Sequence, residues 1–170
     1  MLKKQIEDAL VQQIEKEAFS SNLYLAMACW AETNGFKGVS QWLYAQAEEE
    51  HLHMLKFTKY VNERGGRAVI SAISKPEQNY QSVVQLFDEV LKHERYVTAS
   101  INSIVDLCLH EKDHTTFTWI QWFVNEQIEE ESSVQEIIDK LKLAGSQYLY
   151  AFDRDILASR GGTAAEQHRF

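Results

Sequence analysis

Apolar residues recur along this chain at alternating steps of four and three, the spacing of one buried face on a long bundle helix. Four stretches carry that pattern, and glycines and turn residues separate them. The first predicts a helix from about Leu2 to Thr33 that stops near Gly35, with Gly35 and Gly38 marking a short turn. The second runs from about Val39 to Arg64 and ends at Gly65-Gly66, a common C-terminal stop. Residues 66–79 lose the pattern and contain Pro76, so they read as a long connection. The third helix spans about Tyr80 to His110. Glu111 to His114 then form a brief turn with Asp113 as N-cap, and the fourth helix spans about Thr115 to Leu143, ending at Gly145. Ser146 is placed to cap a short fifth helix that reaches about Ser159. Each long helix measures roughly 40 Å. The expected architecture is all-α: two antiparallel hairpins joined by one long crossover, a four-helix bundle with a short fifth helix. It forms one domain over residues 1–160, followed by a polar tail over 161–170.

The faces that should pack together are interrupted at one level. On the first helix the seam is Ile6, Leu10, Gln13, Glu17, Ser20, Tyr24, Met27 and Ala31. On the second it is Val39, Leu43, Gln46, Glu50, His53, Phe57 and Tyr60. On the third it is Val83, Phe87, Val90, Glu94, Val97, Ile101, Ile104 and Cys108, and on the fourth Thr116, Ile120, Phe123, Gln127, Glu130, Val134, Ile137 and Leu141. Each seam is largely apolar toward its ends and acidic near its middle. At ~1.5 Å of rise per residue, the interruptions fall within about two helical turns of a common height.

One polar residue in one seam is unremarkable, and a slightly rotated helix would explain it. Four helices together demand compensation, because an unpartnered carboxylate costs several kcal/mol when buried. No lysine or arginine lies on these seams, so bound cations are the economical partner. A set of carboxylates with one imidazole suits iron or manganese, whereas structural zinc would bring more Cys or His. Glu50 and His53, at i and i+3, leave one face of their helix together, and Glu50 is central enough to bridge two ions.

Composition narrows the setting. The chain has 170 residues, one proline and seven glycines, enough for one domain with a sizeable core. The charge of −8, without a basic cluster, argues against a nucleic-acid partner. No segment approaches the ~18 apolar residues of a membrane span, and the charged N-terminus does not read as a signal peptide. Cys29 and Cys108 fall within helical patterns and are expected as buried free thiols, in keeping with a reducing cytoplasm.

With Glu17, Tyr24, Glu50, His53, Glu94, Gln127 and Glu130 in this order, the chain resembles a bacterial non-haem ferritin over nearly its whole length. The resemblance takes in the long crossover and the fifth helix. It implies a ferritin-like subunit, a hollow homo-oligomeric shell of 24 copies, and a di-iron ferroxidase centre inside each subunit. There Fe(II) is oxidised by dioxygen or hydrogen peroxide, and the ferric mineral is stored in the cavity. Carried over by position, the first iron site is Glu17, Glu50 and His53. The second is Glu50, Glu94 and Glu130, with Gln127 beside it. A third, toward the cavity, is Glu49, Glu126, Glu129 and Glu130; on spacing alone Glu49, Glu126 and Glu129 read as a solvated flank. The family associates a tyrosine at the position of Tyr24 with the centre, where its phenol would bond a ligand or donate an electron.

Two departures refine the resemblance. Bacterioferritins place a haem-ligating methionine between the Glu and His of the second helix, where this chain has His51 and Leu52, so no haem is expected. Di-metal proteins of the ferritin-like class use two single glutamates and two Glu-x-x-His pairs. Here the fourth helix carries Gln127-x-x-Glu130 instead, which favours storage over substrate oxygenation. The rival readings are a small di-iron peroxidase or oxygenase, a purely structural shell subunit, and a DNA-binding mini-ferritin. The mini-ferritin builds its site from two subunits and typically lacks the fifth helix. Trp122 beside the seam reads as packing, and His93, His110, His114 and His168 read as surface residues.

Overall fold

The computed structural model describes residues 2–160; the expected polar tail, Gly161-Gly162 and His168 lie outside the described residues. Four long helices, α1 (Lys4–Thr33), α2 (Lys37–Glu63), α3 (Val83–Glu111) and α4 (His114–Ala144), are followed by a 3₁₀ turn (Ser146–Tyr148), α5 (Leu149–Asp155) and a final 3₁₀ turn (Ile156–Arg160). Helix α1 packs along α2 and α3 along α4, and α1 also meets α3. The result is the expected four-helix bundle with its short fifth helix. No helix among the described residues is long and apolar enough to cross a membrane.

Three helices end in the same hydrogen-bonded loop, a 6→1 bond outside a 5→2 bond; at α1 and α3 it makes a tight hairpin turn, and at α2 it opens the crossover. Phe36 N donates to Ala31 O and Gly35 N to Glu32 O; Gly66 N donates to Val61 O and Gly65 N to Asn62 O; Asp113 N donates to Cys108 O and Lys112 N to Leu109 O. The motif needs one left-handed residue. Gly35 (φ 85°) and Gly65 (φ 79°) supply it without strain, whereas Lys112 adopts it at φ 55° with a full side chain. Asp113 then caps α4 by accepting from Thr116 N at 3.0 Å.

The third helix starts three residues later than its pattern suggests. Ser82 takes the N-cap, its Oγ accepting from Gln85 N at 3.1 Å. Tyr80 stays in the crossover as a buried aromatic, edge-on to Trp30 at 5.6 Å. Its bulk reads as the first turn of a seam but serves to anchor the loop. Cys108 is buried as expected, but Cys29 is exposed: one step beyond the Ala28 contact, it leaves the buried face of α1.

Helix α5 docks through buried Phe152 onto α2 and α4, and the 3₁₀ turn after it docks through buried Ile156 onto α2. Asp153 caps the start of α2, its Oδ1 accepting from Val39 N at 2.9 Å. Gly38 permits this contact, since a Cβ there would run into the Asp153 backbone carbonyl.

The core is divided. One apolar cluster surrounds Tyr24, Met27, Leu43, Leu86, Phe87 and Ile137. A second surrounds Ile6, Leu10, Phe57, Ile101, Ile120 and Phe123. Between them lies the polar layer that the seams anticipate.

Candidate metal centre

Every long helix delivers a buried acid or its partner to this layer. Glu17 comes from α1, Glu50 and His53 from α2, Glu94 from α3, and Glu126, Gln127 and Glu130 from α4; all are at most 6 % exposed. The buried polar set among the described residues holds no lysine or arginine. Glu17, Glu50 and His53 each bring one ligand atom within 4.8 Å of the other two, and His53 Nδ1 lies 3.3 Å from Glu50 Oε2. The i, i+3 spacing on α2 sets that last contact. Glu17 Oε1 accepts from Gln13 Nε2 at 2.8 Å, while Glu17 Oε2 is buried with no hydrogen-bond partner.

The other carboxylates are held from their far sides. Glu94 accepts from the Tyr24 hydroxyl and, through Oε2, from Gln127 Nε2 at 3.0 Å. Glu130 Oε2 accepts from Gln46 Nε2 at 2.9 Å. Glu94 and Glu130 thus share the layer with Glu50 but are drawn toward their own donors. Glu49, His53 and Glu126 form a second convergent group within 4.8 Å. Glu126 is buried and Glu49 half-buried, whereas Glu129 is exposed. The flank that spacing describes as solvated is therefore partly inside, because α4 turns Glu126 toward His53.

Desolvation dominates the electrostatics. Burial raises the Glu17 carboxyl well above its ordinary value, and Glu50 beside it adds to the rise. Burial and then the Glu94 charge do the same to Glu50 and to Glu130. Glu94 rises less far, since hydrogen bonds from Tyr24 and Gln127 favour its charged form. The Tyr24 phenol is pushed well up by burial and by Glu94. Carboxyls raised in this way keep their protons to higher pH than free ones, and a divalent ion would have to displace them, so metal binding at this layer would strengthen as pH rises.

Sequence reasoning places Gln13 and Gln46 on the seams but assigns them nothing; both donate to carboxylates of the layer. For Gln13 the signal is in the sequence, since an amide one turn before a buried acid on the same seam is a natural donor; Gln46 instead reaches Glu130 on another helix, which its spacing does not announce. Ser100, which donates to Gln13, and Lys16, which donates to Ser100, have no signal in the sequence because both lie off the seams. His93 was expected at the surface, yet it is half-buried. Its Nε2 lies 2.8 Å from Ser20 Oγ and its ring stands edge-on to Tyr24 at 5.9 Å, and burial pushes its pKa down to about 4. Trp122 packs edge-on to His53 at 5.5 Å, with Lys56 Nζ 3.3 Å from its ring centroid.

Residues 7–144 match the family model described as a ferritin-like domain. The chain is 40 % identical over 145 residues to a "bacterial non-heme ferritin" of Campylobacter jejuni, covering 85 % of this chain and 87 % of that one. It is 39 % identical over 158 residues to a "probable bacterial non-heme ferritin-like protein" of Haemophilus influenzae, covering 92 % and 96 %. Among solved structures, an open-pore ferritin from the archaeon Archaeoglobus fulgidus superposes with a TM-score of 0.89 at 37 % identity, covering 91 % of this chain and 96 % of that one.

Proposed function

This chain belongs to the ferritin family, and from that premise we propose that it takes up Fe(II), oxidises it at a paired site within each subunit, and stores the ferric product inside a closed homo-oligomeric shell, 24 subunits by family precedent. One observation carries the reading: acids from four helices converge between two apolar clusters, with no buried ammonium or guanidinium among the described residues to balance them.

Iron is the substrate. Glu17, Glu50 and His53 hold one ion, and Glu50, Glu94 and Glu130 the second, with Gln127 orienting Glu94. Glu50 is shared because it is central in the layer. Oxygen anions stabilise the harder Fe(III) more than Fe(II), which lowers the potential and favours oxidation. Each of two Fe(II) ions gives up one electron. Dioxygen takes the pair with two protons to leave hydrogen peroxide, or peroxide takes it with two protons to leave two waters. Tyr24, bonded to Glu94, keeps that carboxylate turned toward the second ion. Glu49 and Glu126, with His53 at their side, suit an ion in transit toward the cavity, with Glu129 and Glu130 completing that path. The free thiols suit a reducing cytoplasm.

The test is stopped-flow absorbance after mixing anaerobic Fe(II)-loaded protein with oxygen. Rapid ferric absorbance in the parent and its loss in Glu50→Ala are expected. Oxidation in Glu50→Ala as fast as in the parent removes the site assignment.

A further inference from the structure

The Glu17 carboxylate is the end of a hydrogen-bonded chain that starts at a charged lysine and crosses from α1 to α3 and back. Lys16 Nζ donates to Ser100 Oγ at 2.5 Å. Ser100 Oγ donates to Gln13 Oε1 at 2.6 Å, and Gln13 Nε2 donates to Glu17 Oε1 at 2.8 Å. The direction of every link is forced. An ammonium is donor-only, so the serine oxygen must accept from it and spend its single hydrogen on the next group. That hydrogen requires the oxygen of Gln13, which turns the amide N–H₂ toward Glu17. The usual ambiguity between the two ends of a glutamine amide is thereby removed by the lysine.

The outer end is anchored as well. Lys16 Nζ stands 5.5 Å from the Tyr96 ring centroid, within cation–π range. At the inner end one oxygen of Glu17 is engaged and the other, Oε2, is buried without a partner. Gln13 is fully buried and Ser100 is buried, so water does not readily substitute for either link. An amide interrupts proton transfer, since its hydrogen and its acceptor sit on different atoms. The chain therefore transmits orientation and charge polarisation rather than protons.

We propose that Lys16, Ser100 and Gln13 are positioning residues that hold Glu17 Oε1 out of the coordination sphere, so that Glu17 ligates the first metal ion through Oε2 alone. This rests on the reading of Glu17, Glu50 and His53 as a metal site and adds how one of its ligands is presented. A single-oxygen contact from Glu17 keeps the coordination number of that ion low and leaves room for an oxidant. Removing the amide frees Oε1 to chelate. Groups that orient metal ligands in this way typically contribute 10–100-fold in affinity or activity.

The test uses the full chain, metal-free and anaerobic, titrated with Co(II) alone. Co(II) absorbs strongly in the visible at low coordination number and weakly when six-coordinate. Glu17→Ala is the reference and must alter the Co(II) spectrum. Gln13→Leu and Ser100→Ala are each expected to lower the visible absorptivity roughly twofold or more and to shift affinity about tenfold. Ser100→Thr, which keeps the hydroxyl, restores the parental spectrum. In a Glu17→Ala background Gln13→Leu has no further effect. Circular dichroism and thermal melting of the metal-free variants separate misfolding from coordination, and the Ser100→Ala and Ser100→Thr pair carries the result if Gln13→Leu fails to fold. A Gln13→Leu protein with the parental Co(II) spectrum, or a Ser100→Thr protein indistinguishable from Ser100→Ala, overturns the relay while leaving the centre intact. A Glu17→Ala protein with the parental spectrum overturns the centre itself, and the relay with it.

Discussion

Replacing Glu50 with glutamine should change stability with opposite signs in the metal-free and metal-loaded protein. Glu50 is 2 % exposed; burial raises its carboxyl well above the ordinary carboxylate value, and the charges of Glu94, Glu49 and Glu126 raise it further. A folded-state value above the unfolded one means that the contribution of this group is fully present below about 4.5. It is lost as pH rises through the raised value. At mildly alkaline pH the metal-free fold therefore carries a buried acid at a cost of several kcal/mol. Glutamine keeps the shape and removes the charge, and its incompletely bonded amide costs about 1–3 kcal/mol. The difference is a net gain of about 2 kcal/mol, and at roughly 2–4 °C per kcal/mol for a chain of this size the metal-free melting temperature rises about 4–8 °C. At acid pH the gain disappears, since Glu50 is then neutral in both states. With Co(II) bound the order reverses, because an amide is a poorer ligand than a carboxylate and the metal-induced rise in melting temperature shrinks. Scanning calorimetry of chelated and loaded protein, at acid and at mildly alkaline pH, measures all four cases. A metal-free Glu50→Gln protein that melts below the parent at alkaline pH, or a difference independent of pH, would refute the reasoning.

Tyr24→Phe removes a hydrogen bond to a charged group, worth about 1.5–3 kcal/mol, and should weaken binding of the second ion by roughly tenfold or more; anaerobic Fe(II) titration reads this, and unchanged stoichiometry and affinity would count against it. Gly38→Ala should dislodge α5, since an added Cβ meets the Asp153 carbonyl; proteolysis cutting near residues 145–155 in the variant but not the parent is the expected outcome. Lys112→Gly should stabilise the fold by about 1 kcal/mol, because the left-handed φ of 55° costs a non-glycine residue about that much; urea unfolding measures it, and a loss of stability would show that the Lys112 side chain has an offsetting contact.

The helices, the crossover and the height of the acid layer were legible because burial in a bundle imposes a period, and a period survives in one dimension. Glu17, Glu50, Glu94 and Glu130 stood out as breaks in that period. What was illegible were contacts whose partners share no pattern. Ser100 meets Gln13 only because α3 lies against α1, and nothing in the spacing of either helix announces it. Tyr80 shows the opposite failure: it fits the seam of α3, yet Ser82 offers the better cap and leaves the tyrosine in the loop. His93 looked solvent-facing because it is off the seam, but Ser20 leaves room for an imidazole between two helices. Cys29 looked buried because its neighbours are.

The bond between Asp153 and Val39 spans 114 positions. During synthesis α2 leaves the ribosome long before Asp153 is made, so the amide of Val39 at the start of α2 must find water or a provisional partner until that residue arrives. Two apolar side chains supplied after α4, Phe152 and Ile156, then cover the same end of the bundle. A chain that stops short of Asp153 keeps all four long helices and the whole acid layer but leaves that end unsealed. Synthesis through Asp153 is thus registered in the fold itself: a product interrupted before it exposes apolar surface at one end, the feature by which chaperones and proteases sort unfinished chains.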